Sequence, residues 1–126
     1  MAKRLSEPGT CGEFVVDAAR VAQARETALP PETVEALAET FKVLGNATRI
    51  RILHALATQE LCVCDLAEVV GLSVSAVSHQ LGDLRRLRFV EFRSEGKLAW
   101  YRLTSPTVRW LLAESSERVS RRAGAA

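Results

Sequence analysis

Cys62 and Cys64, separated by one residue, are the side chains in this sequence best suited to chemistry. Thiolates bind soft ions, and Zn(II), Cd(II), Pb(II) and As(III) all favour sulfur. The spacing constrains the backbone. Residues i and i+2 of an ideal helix point about 200° apart at 3.6 residues per turn, so a mid-helix pair cannot grip one ion. A C-x-C chelate therefore requires an extended Cys62 at or before a helix start, with Cys64 in the first turn. Glu60-Leu61 before the pair and Asp65 after it fit that boundary, and the positive end of a helix suits an anionic sulfur ligand. Two sulfurs do not close a site. Cys11 is the other thiol, and the stretch from Cys11 to Pro30 can reach elsewhere in the molecule or a partner at roughly 3.3 Å per extended residue. A trigonal site of Cys11, Cys62 and Cys64 is the natural result, with Asp65 or water as a fourth donor. Two part-buried structural cysteines would show the same C-x-C, and an unengaged arm thiol the same Cys11.

The elements that must hold these groups follow from periodicity. Residues 1–29 are small and polar apart from Phe14, Val15 and Val16, and read as an arm with a short helix around Asp17–Arg25. Pro30-Pro31 opens a helix whose apolar stripe is Val34, Leu37, Phe41 and Leu44. Gly45 stops it and Asn46 caps the next helix, with a stripe of Ile50, Leu53, Leu56 and Ala57. A third helix carries Val63, Leu66, Ala67 and Val70, and Gly71-Leu72-Ser73 turns the chain into a fourth that buries Val77, Leu81 and Leu84. Ser73 is placed to cap that fourth helix, with Val74 as a hydrophobic staple just outside it. Two β-rich runs, Phe89–Arg93 and Leu98–Leu103, flank a turn at Ser94-Glu95-Gly96-Lys97. Pro106 starts a last helix with Val108, Leu111 and Leu112, and residues 122–126 read as a frayed tail. The expected fold is mainly α with a β-hairpin wing, a winged helix-turn-helix spanning residues 30–121.

The fourth helix has the composition of a recognition helix. Opposite Val77, Leu81 and Leu84 lie Ser75, Ser78, His79, Gly82, Arg85 and Arg86, with Gln80 flanking. Serine and histidine can hydrogen-bond base edges without bulk. Gly82 costs about 1 kcal/mol of helix propensity relative to alanine, which close packing against DNA or a neighbouring helix would explain. Arg93 and Lys97 sit on the wing, where phosphate contacts set register. A solvated polar helix face is the alternative reading of Ser75, Ser78 and Gln80; the turn, the basic flank and the wing in this order favour DNA.

Composition narrows the classes. With 48% hydrophobic and 25% charged residues, the chain has the make-up of a globular protein. Residues 1–44 carry five basic and seven acidic side chains, whereas residues 75–102 carry six basic and three acidic, a modest sign of a polyanion-binding face. No apolar run approaches the roughly 18 residues that span a bilayer, so no membrane partner is expected. The start Met1–Glu7 places no apolar stretch behind its charges, and the expected location is the cytoplasm. An odd cysteine count there argues for metal binding or redox sensing over a disulfide framework. Neither histidine lies near the thiols in sequence, and no Gly-rich phosphate loop or carboxylate pair is evident, so no enzyme is expected.

The runs Leu44-Gly45-Asn46-Ala47-Thr48-Arg49-Ile50-Arg51-Ile52-Leu53, Glu60-Leu61-Cys62-Val63-Cys64-Asp65-Leu66, Ser75-Ala76-Val77-Ser78-His79-Gln80-Leu81 and Glu95-Gly96-Lys97 resemble the ArsR/SmtB family of metal-sensing repressors. The resemblance covers about residues 30–115, and Cys11-Gly12-Glu13-Phe14 looks like the arm of CadC-type cadmium and lead sensors. It implies a homodimer packed through its first and last helices, and a metal site joining the C-x-C of one protomer to the arm thiol of the other. It further implies a repressor that binds double-stranded operator DNA and releases it on binding Cd(II) or Pb(II), with Zn(II) or As(III) as other candidate ions. An As(III)/Sb(III)-responsive repressor and a thiol-redox or persulfide sensor stay open on the same scaffold. The sequence departs from the pattern in three respects. Val15 stands where CadC-like arms carry a second cysteine, and Ala67 where arsenic-type relatives carry a further thiol. Ser105, Thr107, Arg118 and Arg121 stand where some relatives hold zinc with Asp and His, so that second site is expected to be absent.

Overall fold

The computed structural model describes residues 8–124, arranged as α1 (Ala18–Glu26), α2 (Pro31–Leu44), α3 (Ala47–Thr58), β1 (Leu61–Cys62), α4 (Val63–Val70), α5 (Val74–Arg86), β2 (Val90–Glu95), β3 (Leu98–Leu103) and α6 (Pro106–Gly124). The start of the expected arm, residues 1–7, and the last two residues of the expected tail lie outside this range. The chain divides into a unit ending at Glu35 and a unit beginning at Ala36. In the first, the Asp17 carboxylate caps α1 by accepting from the amides of Ala19 and Arg20 at 3.1 and 3.2 Å, and α1 buries no residue.

In the second unit the core gathers Ile52, Leu53 and Leu56 of α3, Leu66 and Ala67 of α4, and Val77, Leu81 and Leu84 of α5. Val90, Tyr101 and Leu103 of the sheet and Val108 of α6 complete it, with Val43 at the end of α2. The α5 stripe is the one its 3.6-residue period predicts, and all three of its members are fully buried. The α3 stripe is rotated from expectation: Ile50 is 42% exposed while Ile52 is buried. Two residues apart on a helix cannot both face inward. Arg49, which shares a face with Ile52, Leu53 and Leu56, turns toward α5 and takes Ile52 in with it. The α2 stripe is corrected too. Val34, Leu37 and Phe41 are exposed, and Val43 faces the core instead.

The helix-turn-helix is built from local signals. Gly71 at φ 70° ends α4 in a left-handed cap, its amide donating to Ala67 O at 2.9 Å, a conformation that glycine adopts without strain. The Ser73 hydroxyl then caps α5 by accepting from the Ala76 amide at 3.1 Å. Val74 is the first residue inside α5 and is exposed, so it is no staple outside the helix.

The sheet is antiparallel in the order β1-β3-β2. Its hairpin is tighter than the four-residue turn expected, for Glu95 pairs with Leu98 and only Gly96-Lys97 intervene. Gly96 takes φ 62° at the first turn position, where a two-residue hairpin favours glycine. The two-residue β1 has no alternation to betray it in sequence; it exists because β3 offers an edge. At the other end α6 continues to Gly124, so Arg122 joins Arg121 in its last turn and does not lie in a frayed tail. Cations suit that end of a helix.

Candidate nucleic-acid interface and thiol pair

Burial of Val77, Leu81 and Leu84 leaves Ser75, Ser78 and His79 exposed on the far side of α5. Gly82 sits beside them, and a Cβ there would meet nothing within 4 Å. A neighbouring helix of the same chain therefore does not explain the glycine. Its bare backbone lies open on the exposed face.

Four of the other residues expected to face DNA, Gln80, Arg85, Arg86 and Arg93, have partners within the chain. The Arg85 guanidinium lies 5.0 Å from the Phe92 ring centroid and donates to the Tyr101 hydroxyl at 3.2 Å, fastening the end of α5 to the wing. Arg86 pairs with Asp83. The Gln80 side-chain oxygen accepts from Arg49 Nε, which turns Gln80 partly toward α3. Arg93 pairs with Glu95 and lies 3.4 Å from a Glu60 oxygen. The hydrogen bond to Glu95 is the largest cause raising the Arg93 pKa above its ordinary value, with burial opposing and the Glu60 charge adding. Lys97 occupies the hairpin tip and is exposed.

Sequence reasoning missed the pair that sets α5 in place. Arg49 of α3 bonds Asp83 of α5 through Nη2 and Gln80 through Nε, and both Arg49 and Asp83 side chains are only 16% exposed. A lone acid two positions after the buried Leu81, within an otherwise basic helix end, was the available signal.

The thiols occupy the junction that the C-x-C spacing requires. Cys62 closes β1 and is the N-cap of α4, with φ −81° and ψ 167° and a buried side chain. Cys64 is the second residue of the helix and is exposed. No side chain caps the α4 N-terminus from the Cys62 position. Both cysteines are free thiols, as is the exposed Cys11 of the N-terminal unit. Among the described residues no three His, Cys, Asp or Glu side chains come together as a metal site. Thiolates are ligands for soft ions.

The strand register sets Cys62 opposite Trp100, and Trp100 opposite Arg93. Directly paired residues of an antiparallel ladder point to one face, so the three side chains form a row across the sheet. The Arg93 guanidinium stands 5.8 Å from the Trp100 ring centroid. Trp100 Nε1 is a buried donor with no hydrogen-bond partner among the described residues. With Glu60, Glu91, Phe92 and Arg102, Trp100 and Arg93 line a cleft of about 350 Å³.

Comparison with known proteins decides what this arrangement belongs to. The family model described as bacterial regulatory protein, arsR family, matches residues 46–91. A transcriptional repressor SmtB homolog from Synechocystis sp. is 38% identical over 109 residues, covering 86% of this chain and 83% of that protein. The chain belongs to the ArsR family. The ArsR-family match runs from the Asn46 cap into β2 and so takes in Arg49, the thiol pair and both helices of the motif, ending two residues into the wing. A cadmium resistance regulatory protein CadC from Listeria innocua is 44% identical over 62 residues, 48% of this chain and 52% of that protein. Among solved structures, the ArsR-type fold is matched by the AntR antimony-specific transcriptional repressor, with a TM-score of 0.69 and 34% identity over 87% of this chain and 99% of that one. The winged helix-turn-helix expected from the sequence is thus the fold observed.

Proposed function

We propose that this ArsR-family protein is a metal-responsive transcriptional repressor. Its apo homodimer binds operator DNA through α5 and the wing, and it releases that DNA when a thiophilic ion occupies Cys62 and Cys64. The observation that carries the reading is the backbone at the pair: Cys62 extended as N-cap and Cys64 in the first turn of α4, the helix that leads directly into α5. Ion binding at that junction can bias one of two dimer arrangements, provided one of them binds the ion more tightly. Ser75, Ser78 and His79 are the groups we assign to base edges, flanked by Gln80, Arg85 and Arg86, with Arg93 and Lys97 on phosphates. Cys11 is the third thiol, with Asp65 or water as a further donor.

Cd(II) or Pb(II) is the favoured effector, since the donors are sulfur and the CadC of Listeria innocua is named for cadmium resistance. An As(III)/Sb(III) reading has one observation behind it, the similarity to an antimony-specific repressor. Against it, Ala67 stands buried where a third local thiol would be needed. The dimer reading is supported by the uncovered apolar side chains Leu37 and Phe41 of α2 and Val119 of α6.

The test is operator release. Wild type should leave operator DNA on addition of Cd(II) or Pb(II), with sulfur-to-metal charge-transfer absorption in the near ultraviolet at one ion per protomer. Cys62→Ser should keep operator binding and lose both responses. A Cys62→Ser protein that still releases DNA at the same ion concentration would place the sensing site elsewhere.

A further inference from the structure

The row Cys62–Trp100–Arg93 joins two places the function needs to connect. Cys62 belongs to the ion-binding pair, and Arg93 belongs to the wing. Between them stands one indole, opposite both in the strand register. The Arg93 side chain does not extend outward from its strand. It lies against the Trp100 ring and reaches across it to Glu60, two residues before Cys62 in the chain. The wing cation is thus held from two sides, by Glu95 of its own hairpin and by the segment that carries the sensing thiol. The indole is also poorly anchored, for its buried Nε1 donor has no partner among the described residues and one side of it borders an open cleft.

We propose that Trp100 and Glu60 are positioning residues that transmit the state of the thiol pair to the wing. This rests on the reading of Cys62 and Cys64 as the ion-binding pair. When Cys62 commits its sulfur to an ion, the side chain opposite Trp100 changes its charge and direction. The ring, with a cleft beside it and no hydrogen bond from the described residues to hold it, shifts. Arg93 then loses the face it lies on, and its pair with Glu60 no longer closes at the same position. The wing cation leaves the position from which it meets a phosphate, and operator affinity falls. The path runs across the sheet through side chains in contact, and not only through the α4–α5 turn.

Spatial adjacency is not coupling, so the test measures coupling directly. In a Trp110→Phe background the remaining indole is Trp100. Titration with Cd(II) should change its emission in step with the charge-transfer absorption, and Cys62→Ser should abolish both signals together. Trp100→Leu and, separately, Glu60→Gln should retain the charge-transfer absorption at one ion per protomer but bind operator more weakly than wild type before any ion is added, since each lacks a contact that holds Arg93. Each should cut the Cd(II)-induced loss of operator affinity at least fivefold relative to wild type. The Glu60 side chain is 45% exposed, so its variant folds even if Trp100→Leu does not. Full Cd(II)-induced release in Glu60→Gln together with an unmoved Trp100 emission overturns the link while leaving the metal reading intact. Absence of charge-transfer absorption in wild type overturns the metal reading, and the link falls with it.

Discussion

Arg49 of α3 holds Asp83 of α5 across 34 positions of sequence. The same guanidinium engages Gln80 one turn earlier on α5, so a single side chain fixes both the height and the rotation of that helix. Removing one partner of a well-buried pair costs about 3–5 kcal/mol, because the other charge is left unpaired. At 16% exposure for each side chain we expect less, about 2 kcal/mol for Asp83→Ala or Arg49→Ala. The double variant Arg49→Met/Asp83→Leu should recover most of that loss. Urea unfolding of the three proteins checks this. Single variants within about 0.5 kcal/mol of wild type would show that the pair is a surface ornament.

The two cysteines of the C-x-C should separate in stability though not in sensing. Cys64 is exposed, and Cys64→Ser should stay within about 0.5 kcal/mol of wild type. Cys62 is buried at 7% exposure, so Cys62→Ser should cost about 1 kcal/mol, limited by the preference of helix N-caps for serine. Thermal unfolding of the apo proteins reads this difference. Equal stability losses would mean that Cys64 also packs inside, contrary to its place in the structure.

Gly82 gives a prediction in which stability and binding move in opposite directions. A methyl group there meets nothing within 4 Å, and alanine is favoured over glycine in a helix by about 1 kcal/mol. Gly82→Ala should therefore stabilise the free protein by roughly 0.5–1 kcal/mol. If the bare backbone serves close approach to DNA, the same change should weaken operator binding. A variant that is more stable and binds equally well would remove Gly82 from the interface.

Contacts to base edges and to phosphates should differ in what they discriminate. Lys97→Ala at the hairpin tip should weaken binding to operator and random DNA alike and lower the salt slope by about 1. Ser78→Ala or His79→Ala should instead relax discrimination between them, by about 1–3 kcal/mol if the contact is bidentate. Competition binding at several salt concentrations separates the two classes. Identical behaviour of both would undo the assignment of roles.

What the sequence determined by itself was local. Asn46 and Ser73 as caps, Gly71 as the left-handed stop, and the α5 stripe of Val77, Leu81 and Leu84 all depend on residues within about one turn of each other. The backbone at the C-x-C belongs here too: a chelating pair would need an extended Cys62 before a helical Cys64, and that is the backbone found. Tertiary structure decided the rest. The choice between Ile50 and Ile52, two apolar residues pointing opposite ways, was made by Arg49 turning toward Asp83. The strand β1 formed because β3 had an open edge, and the same pairing set Cys62 against Trp100. Val34, Leu37 and Phe41 of the α2 stripe, apolar in sequence, stayed exposed because none of the described residues covers them. Caps and turns are settled by the dihedral preferences and side-chain hydrogen bonds of neighbouring residues. Pairings between residues tens of positions apart depend on which surfaces the packed chain brings together, and no local pattern encodes that.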